Sequence, residues 1–175
     1  VQTQNYSFTP TGNQNLIFNK FDTFGGNRIL NSVTITTSLT KSGGSLYVDN
    51  DSATAGSGSI SQTVRIDLTA PGVNMMSTSF GAIGSNVSST TSYFVSLEAD
   101  DGDGSQYQSG GPDWGGTTFA DQTATRTEEV SSLVSDSFKG TGATFTINVA
   151  GVQSTDTQSI SGASGAFSPA SASGY

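Results

Sequence analysis

The residues best equipped for chemistry lie in 98–116, EADDGDGSQYQSGGPDWGG, where Glu98, Asp100, Asp101, Asp103 and Asp113 stand among glycines with the chain's single Trp. Carboxylates are hard oxygen ligands, and Gly102 and Gly104 let a backbone wrap an ion, so Asp100, Asp101, Asp103 and Asp113 are the candidate calcium ligands. The run departs from an EF-hand loop, lacking its third alternating acidic ligand and distal Glu. A solvated acidic turn is the competing reading. Glycoside hydrolysis would need a pair such as Glu98 with Asp100, or Asp103 with Asp113, held roughly 5–10 Å apart. A Gly-rich loop is a poor frame for that. Trp114 with Tyr107 offers a flat apolar platform in a polar rim for sugar stacking, against the alternative that Trp114 caps the core under its own loop.

Other chemistries are closed by composition. The chain has no His, which removes imidazole bases, Ser-His-Asp triads and histidine metal sites. It has no Cys, which removes disulfides and thiolate sites. A Ser–Lys dyad would need Lys20, Lys41 or Lys139 desolvated beside a serine, whereas isolated lysines in strands and turns are normally solvated. The protein is therefore read as non-enzymatic. Its six basic residues, Lys20, Arg28, Lys41, Arg65, Arg126 and Lys139, are scattered singly against a net charge of −8, so no patch neutralises adjacent phosphates and nucleic acid is not an expected partner. The same charge favours solubility and repels anionic lipid. No apolar run approaches the roughly 20 residues of a membrane span, and no basic-then-apolar leader opens the chain, so Val1 reads as a mature N-terminus. Low Lys and Arg, high Ser and Thr, and three sequons, at Asn5, Asn50 and Asn86, point outside the cell; the asparagines are candidate glycosylation sites, with chance occurrence in a Ser-rich chain as the alternative.

The elements that must position these groups read as strands. At 175 residues, 33% of them apolar, the chain has the size of one sandwich, and its Ser, Thr, Gly, Asn and Phe suit many short strands joined by tight turns. In 18–50, Ile29, Val33, Ile35, Thr37 and Leu39 recur near a period of two, behind a Gly25-Gly26 turn whose glycines accept positive φ. Ile60, Val64, Ile66 and Leu68 alternate before the Pro71-Gly72 break; Tyr93, Val95 and Leu97 form another inward set; Phe145, Ile147 and Val149 form a late core strand. Met75, Met76, Phe80 and Ile83 are expected core contacts. Residues 117–134 are open between strands and a short helix. Residues 161–175, rich in Gly, Ser and Ala, lack periodicity and read as a flexible tail behind a single domain over 1–160. The expected fold is an all-β, antiparallel, jelly-roll-like β-sandwich.

Several spaced motifs together resemble the choice-of-anchor E domain family of exported bacterial surface proteins that often carry a PEP-CTERM sorting signal. They are Phe18-Asn19-Lys20-Phe21-Asp22 with the glycine turn and the following apolar strand, Val48-Asp49-Asn50, Asp101-Gly102-Asp103 with the later Gly-Pro-Asp-Trp-Gly, and Phe138-Lys139-Gly140-Thr141-Gly142. The resemblance covers most of the chain and implies an extracellular β-sandwich with no catalytic residues to carry over. The sequence departs from the pattern in having no Pro-Glu-Pro or basic end after Ile160.

The termini suggest a function of another kind. Residues 1–8 alternate, with Tyr6 and Phe8 on one side and Val1 and Thr3 on the other, and Pro10 and Gly12 make a joint behind them. An extended segment of this sort adds to an open sheet edge, and a head-to-tail contact that does not close generates a filament. Val1, Thr3, Tyr6 and Phe8 are accordingly the candidate assembly strand of a secreted structural protein that polymerises with itself, the alternative being that they form the first strand of their own sandwich. A second reading is a carbohydrate-binding surface module stabilised by calcium.

Overall fold

In a computed structural model, the described residues form eleven strands, β1 (Tyr6–Phe8), β2 (Asn13–Asn19), β3 (Thr34–Ser42), β4 (Ser45–Asn50), β5 (Gly56–Thr69), β6 (Val87–Leu97), β7 (Trp114–Thr118), β8 (Gln122–Glu129), β9 (Thr144–Gln158), β10 (Ala163–Ser168) and β11 (Ser171–Gly174). The described residues are 1–9, 11–102 and 111–175, with the backbone alone for 153–155. All strand pairings among them are antiparallel. The fold is the expected all-β sandwich.

One sheet runs β2-β9-β5-β6, built on long strands. The facing layer is ordered β1-β11-β3-β8 and then β10-β4-β7. These two parts share one register: Ser42 opposes Ser171 and Ser45 opposes Ser168, while Lys41 opposes Gln122 and Ser45 opposes Thr118. The facing layer is thus a single sheet bent at Gly43 and Gly44, whose φ values are 68° and 93°. Only glycine serves at Gly44, because a Cβ there would also overlap the Gln62 carboxamide.

Alternation fills the interior as the sequence predicts. Ile60, Val64, Ile66 and Leu68 on β5 are all buried, as are Ile147 and Val149 on β9 and Val95 and Leu97 on β6. Three apolar clusters follow one another along the sandwich. The first, around Ile83, Val130 and Phe138, gathers the connections β2–β3, β5–β6 and β8–β9 at one end. The second lies in the middle around Leu16, Leu39, Val64 and Ile147, and the third lies under the bent half around Leu46, Val48, Ile60 and Val95. Between the second and third sits a polar layer of Lys41, Gln62 and Thr91.

Several expectations are corrected. Residues 161–175 are not a tail: β10 pairs with β4 over six residues and β11 inserts between β1 and β3, with Ala170 and Ala172 buried. Small side chains carry no periodic signal, yet they let these strands lie close against their neighbours. Gly174, for instance, rests against the Ser38 carbonyl and the Tyr6 hydroxyl, where no Cβ fits. The Ile29 strand starts late, at Thr34, so Ile29 is exposed in the β2–β3 connection. Phe80, with φ of 62°, is an exposed loop tip and not a core contact. Tyr93 is also exposed, although its partners in parity are buried. Residues 117–134 resolve into the end of β7, β8 and the loop before a 3-10 turn at Ser135–Phe138.

Candidate functional site

Two regions qualify as sites: the acidic turn at the bent end and the open edge of β3 at the other.

At the bent end, the Asp113 carboxylate is buried and accepts the Asp101 backbone N–H at 2.9 Å, while its carbonyl accepts the Asn50 N–H at 3.0 Å. Asp100 closes an Asx turn by accepting the Gly102 N–H at 3.0 Å, and its own N–H donates to the Ser52 carbonyl. Carboxylate oxygens of Asp100, Asp101 and Asp113 come within 4.8 Å of one another, a spacing compatible with a shared hard cation. Asp103 and Tyr107 lie outside the described residues, as does Pro10.

Trp114 does not cap the core. It stands on the outer face of β7, half-buried, stacked on Tyr47 of β4 with ring centroids 5.7 Å apart. Its neighbour Gly115 occupies the inward position against Val95 and Leu97. The aromatic partner that sequence reading missed is therefore Tyr47, and the available signal was its parity between buried Leu46 and Val48.

Of the sequons, Asn5 and Asn86 are exposed, but Asn50 is corrected. It is buried, and the Nδ2 that would carry a glycan donates to the carbonyls of Thr54 and Glu98 at 3.0 and 2.6 Å. Asn50 is the polar pin that ties β4 to the acidic turn.

At the other end, only Tyr6–Phe8 of the candidate assembly strand form a strand, paired with β11 at the edge of their own sheet. Tyr6 is buried, stacks on Phe8 at 5.6 Å and donates its hydroxyl to the Ser38 carbonyl at 2.6 Å. Burial pushes its phenol pKa well up. Residues 1–5 are exposed, Val1 and Thr3 among them, and are held by side chains: Gln2 exchanges two hydrogen bonds with the Asn19 backbone, and Gln4 donates to the Ile17 carbonyl. Residues 1–4 rim a cavity of about 810 Å³ whose floor includes Leu16, Phe18, Phe145 and Ile147 and whose far wall is residues 34–37 of β3.

The polar layer holds two charges shifted by burial. Lys41 is buried, with Nζ donating to Thr91 Oγ1 at 2.8 Å and lying 4.7 Å from the centroid of the Phe119 ring. Burial lowers its pKa, and Asp156 and Asp121 oppose the shift. Asp156, paired across the sheet with Gln62, has its pKa raised by burial, with Gln62 and Lys41 acting against it. Among the described residues no donor reaches Gln62 Oε1 or Asp156 Oδ1. No helix among the described residues is long and apolar enough to cross a membrane.

No family model matches the chain, and no curated protein does. A solved structure of infectious bursal virus derived T=1 particles aligns with it at 12% identity and a TM-score of 0.15, covering 98% of this chain and 39% of the other. A likeness at that level carries no argument.

Proposed function

We propose that the protein is a non-enzymatic, extracellular structural subunit that joins its neighbour head-to-tail by adding the N-terminal strand, residues 1–8, to an open sheet edge. The observation supporting this is the attachment of that segment. It contributes three ladder residues at an edge, while residues 1–5 are exposed and, among the described residues, are held by hydrogen bonds of the Gln2 and Gln4 side chains. Ladder hydrogen bonds net about 0.5–1.5 kcal/mol each and a buried aromatic about 1.5–3 kcal/mol, against about 1–2 kcal/mol per residue for backbone ordering. Exchange between an internal and an external partner is then close to balanced, and concentration decides it. Removing residues 1–8 is expected to leave a folded monomer by circular dichroism that no longer polymerises in negative-stain microscopy. Filaments of unchanged length and symmetry contradict the proposal.

A second reading, a carbohydrate-binding module stabilised by calcium, draws on the outward Tyr47–Trp114 stack and the neighbouring carboxylates of Asp100, Asp101 and Asp113. Titrating polysaccharides with and without a chelator tests it through Trp114 fluorescence. An unchanged signal under both conditions counts against sugar binding.

A further inference from the structure

We infer that the acceptor for that strand is the unpaired stretch of β3, residues 34–37, and that its occupant is the N-terminal segment of a second copy of this chain. The inference rests on the strand-addition reading and names its receiving surface.

β3 is flanked by β8 over residues 34–41, but β11 covers only residues 39–42. Two bonds fix which way the backbone faces. Val130 N–H donates to the Val33 carbonyl on the β8 side, and Ser38 N–H donates to the Tyr175 carbonyl on the β11 side. Since alternate residues of an antiparallel ladder face alternate neighbours, Thr34 and Thr36 direct their N–H and C=O groups away from β8, into the cavity. No described strand pairs with them there. An exposed ladder edge over an apolar floor is what an added strand requires: main-chain bonds on one side and pockets for alternate side chains below.

Three features select the occupant. The segment 1–9 has no charged side chain, matching a floor of Leu16, Phe18, Phe145 and Ile147. Its alternation places two aromatic rings, Tyr6 and Phe8, on one face, suited to a cavity of about 810 Å³. Finally, the end of the sandwich that the cavity reaches through Leu30, Val33 and Phe138 displays exposed apolar tips from its connections: Phe24 and Ile29 from β2–β3, Phe80 from β5–β6 and Leu133 from β8–β9. A docked second copy would cover them.

The test adds a synthetic peptide of residues 1–9 to the full chain and follows amide hydrogen exchange. The Thr34 and Thr36 amides are expected to slow at least tenfold, and Thr36→Pro, which removes a cavity-facing N–H while leaving the β8 ladder intact, is expected to weaken peptide binding at least tenfold with the unfolding midpoint little changed. Absence of binding overturns the inference. So does protection confined to Ala172 and Gly174, which marks exchange at the seat of β1 instead. Microscopy of the full chain separates the two proposals: fibres in which Thr34 and Thr36 still exchange freely refute this acceptor alone, whereas peptide protection without fibres refutes polymerisation alone.

Discussion

The two halves of the bent sheet share one register and one pair of glycines at the bend, yet they finish differently. Beyond the bend, β10 accompanies all six residues of β4, β7 lies on its other side, and Leu46 and Val48 are fully enclosed. Before it, β11 accompanies four of the nine residues of β3, and Ile35 is left half-buried at the cavity wall. Hydrophobic alternation is present in both halves. What seals one and opens the other is the reach of a third strand. Whether an inner strand such as β3 or β4 presents an edge is thus a matter of how far its neighbours reach, and β3 presents one over residues 34–37.

Truncation in the core is the strongest way to break this contrast. Leu46→Ala removes a fully buried side chain from the sealed half and is expected to cost about 2–5 kcal/mol in denaturant unfolding. Ile35→Ala, at the wall of the cavity, is expected to cost about 1 kcal/mol, because part of that side chain already meets water. Equal losses would mean that the cavity is closed in solution. The glycines of β11 and β10 give the next largest contrast. In Gly174→Ala the new methyl meets the Ser38 carbonyl and the Tyr6 hydroxyl, so β11 must shift off β3 at an expected cost of about 1–3 kcal/mol. Gly165→Ala on β10 meets ring carbons of Phe167 at 3.3 Å, and a ring that can turn limits the loss to about 0.5 kcal/mol. Matching unfolding midpoints for the two variants would show that β11 is not held against β3 as described.

Much of the interior was legible in the sequence, because β5 and β9 carry branched and aromatic residues at a period of two and burial follows that period at Ile60, Val64, Ile66, Ile147 and Val149. The glycine turn was legible too, with Gly25 and Gly26 at φ of 67° and 96°. β10 and β11 were not legible. Their Gly, Ser and Ala residues are chosen for close approach to other strands, a constraint that exists only once those strands are in place. Part of the acidic site was readable as a cluster of carboxylates, but the pin that organises it, Asn50, read as a glycan acceptor because its two carbonyl partners, Thr54 and Glu98, are brought to it by the fold. The open edge of β3 had no sequence signature at all: Thr34 and Thr36 belong to the same alternation as the paired residues that follow them.

The polar layer between the halves supplies the smallest and most selective test. Asp156 has a raised pKa even though Lys41 attracts its charged form, so the shift is the balance left after that attraction is counted, and the ionised carboxylate is the disfavoured state. A carboxyl whose folded pKa exceeds its unfolded value contributes stability that is fully present below the ordinary Asp value of about 4 and is lost as pH rises through the folded pKa. Asp156→Asn, which resembles the protonated acid and does not ionise, should therefore be more stable than the natural chain at pH 7, and the advantage should shrink to nothing as pH falls below about 4. Lys41 sets the opposite limit. Its lowered pKa withholds stability from acidic to neutral pH and restores it only toward alkaline pH, so Lys41→Met should raise the unfolding midpoint at pH 7 only if the loss of its bond to Thr91 costs less than burying the ammonium. Unfolding midpoints for Asp156→Asn measured at pH 7 and pH 4 decide the sign. An equal difference at both values would place the Asp156 carboxyl in solvent, and with it would go the polar layer as a buried boundary between the sealed and the open half.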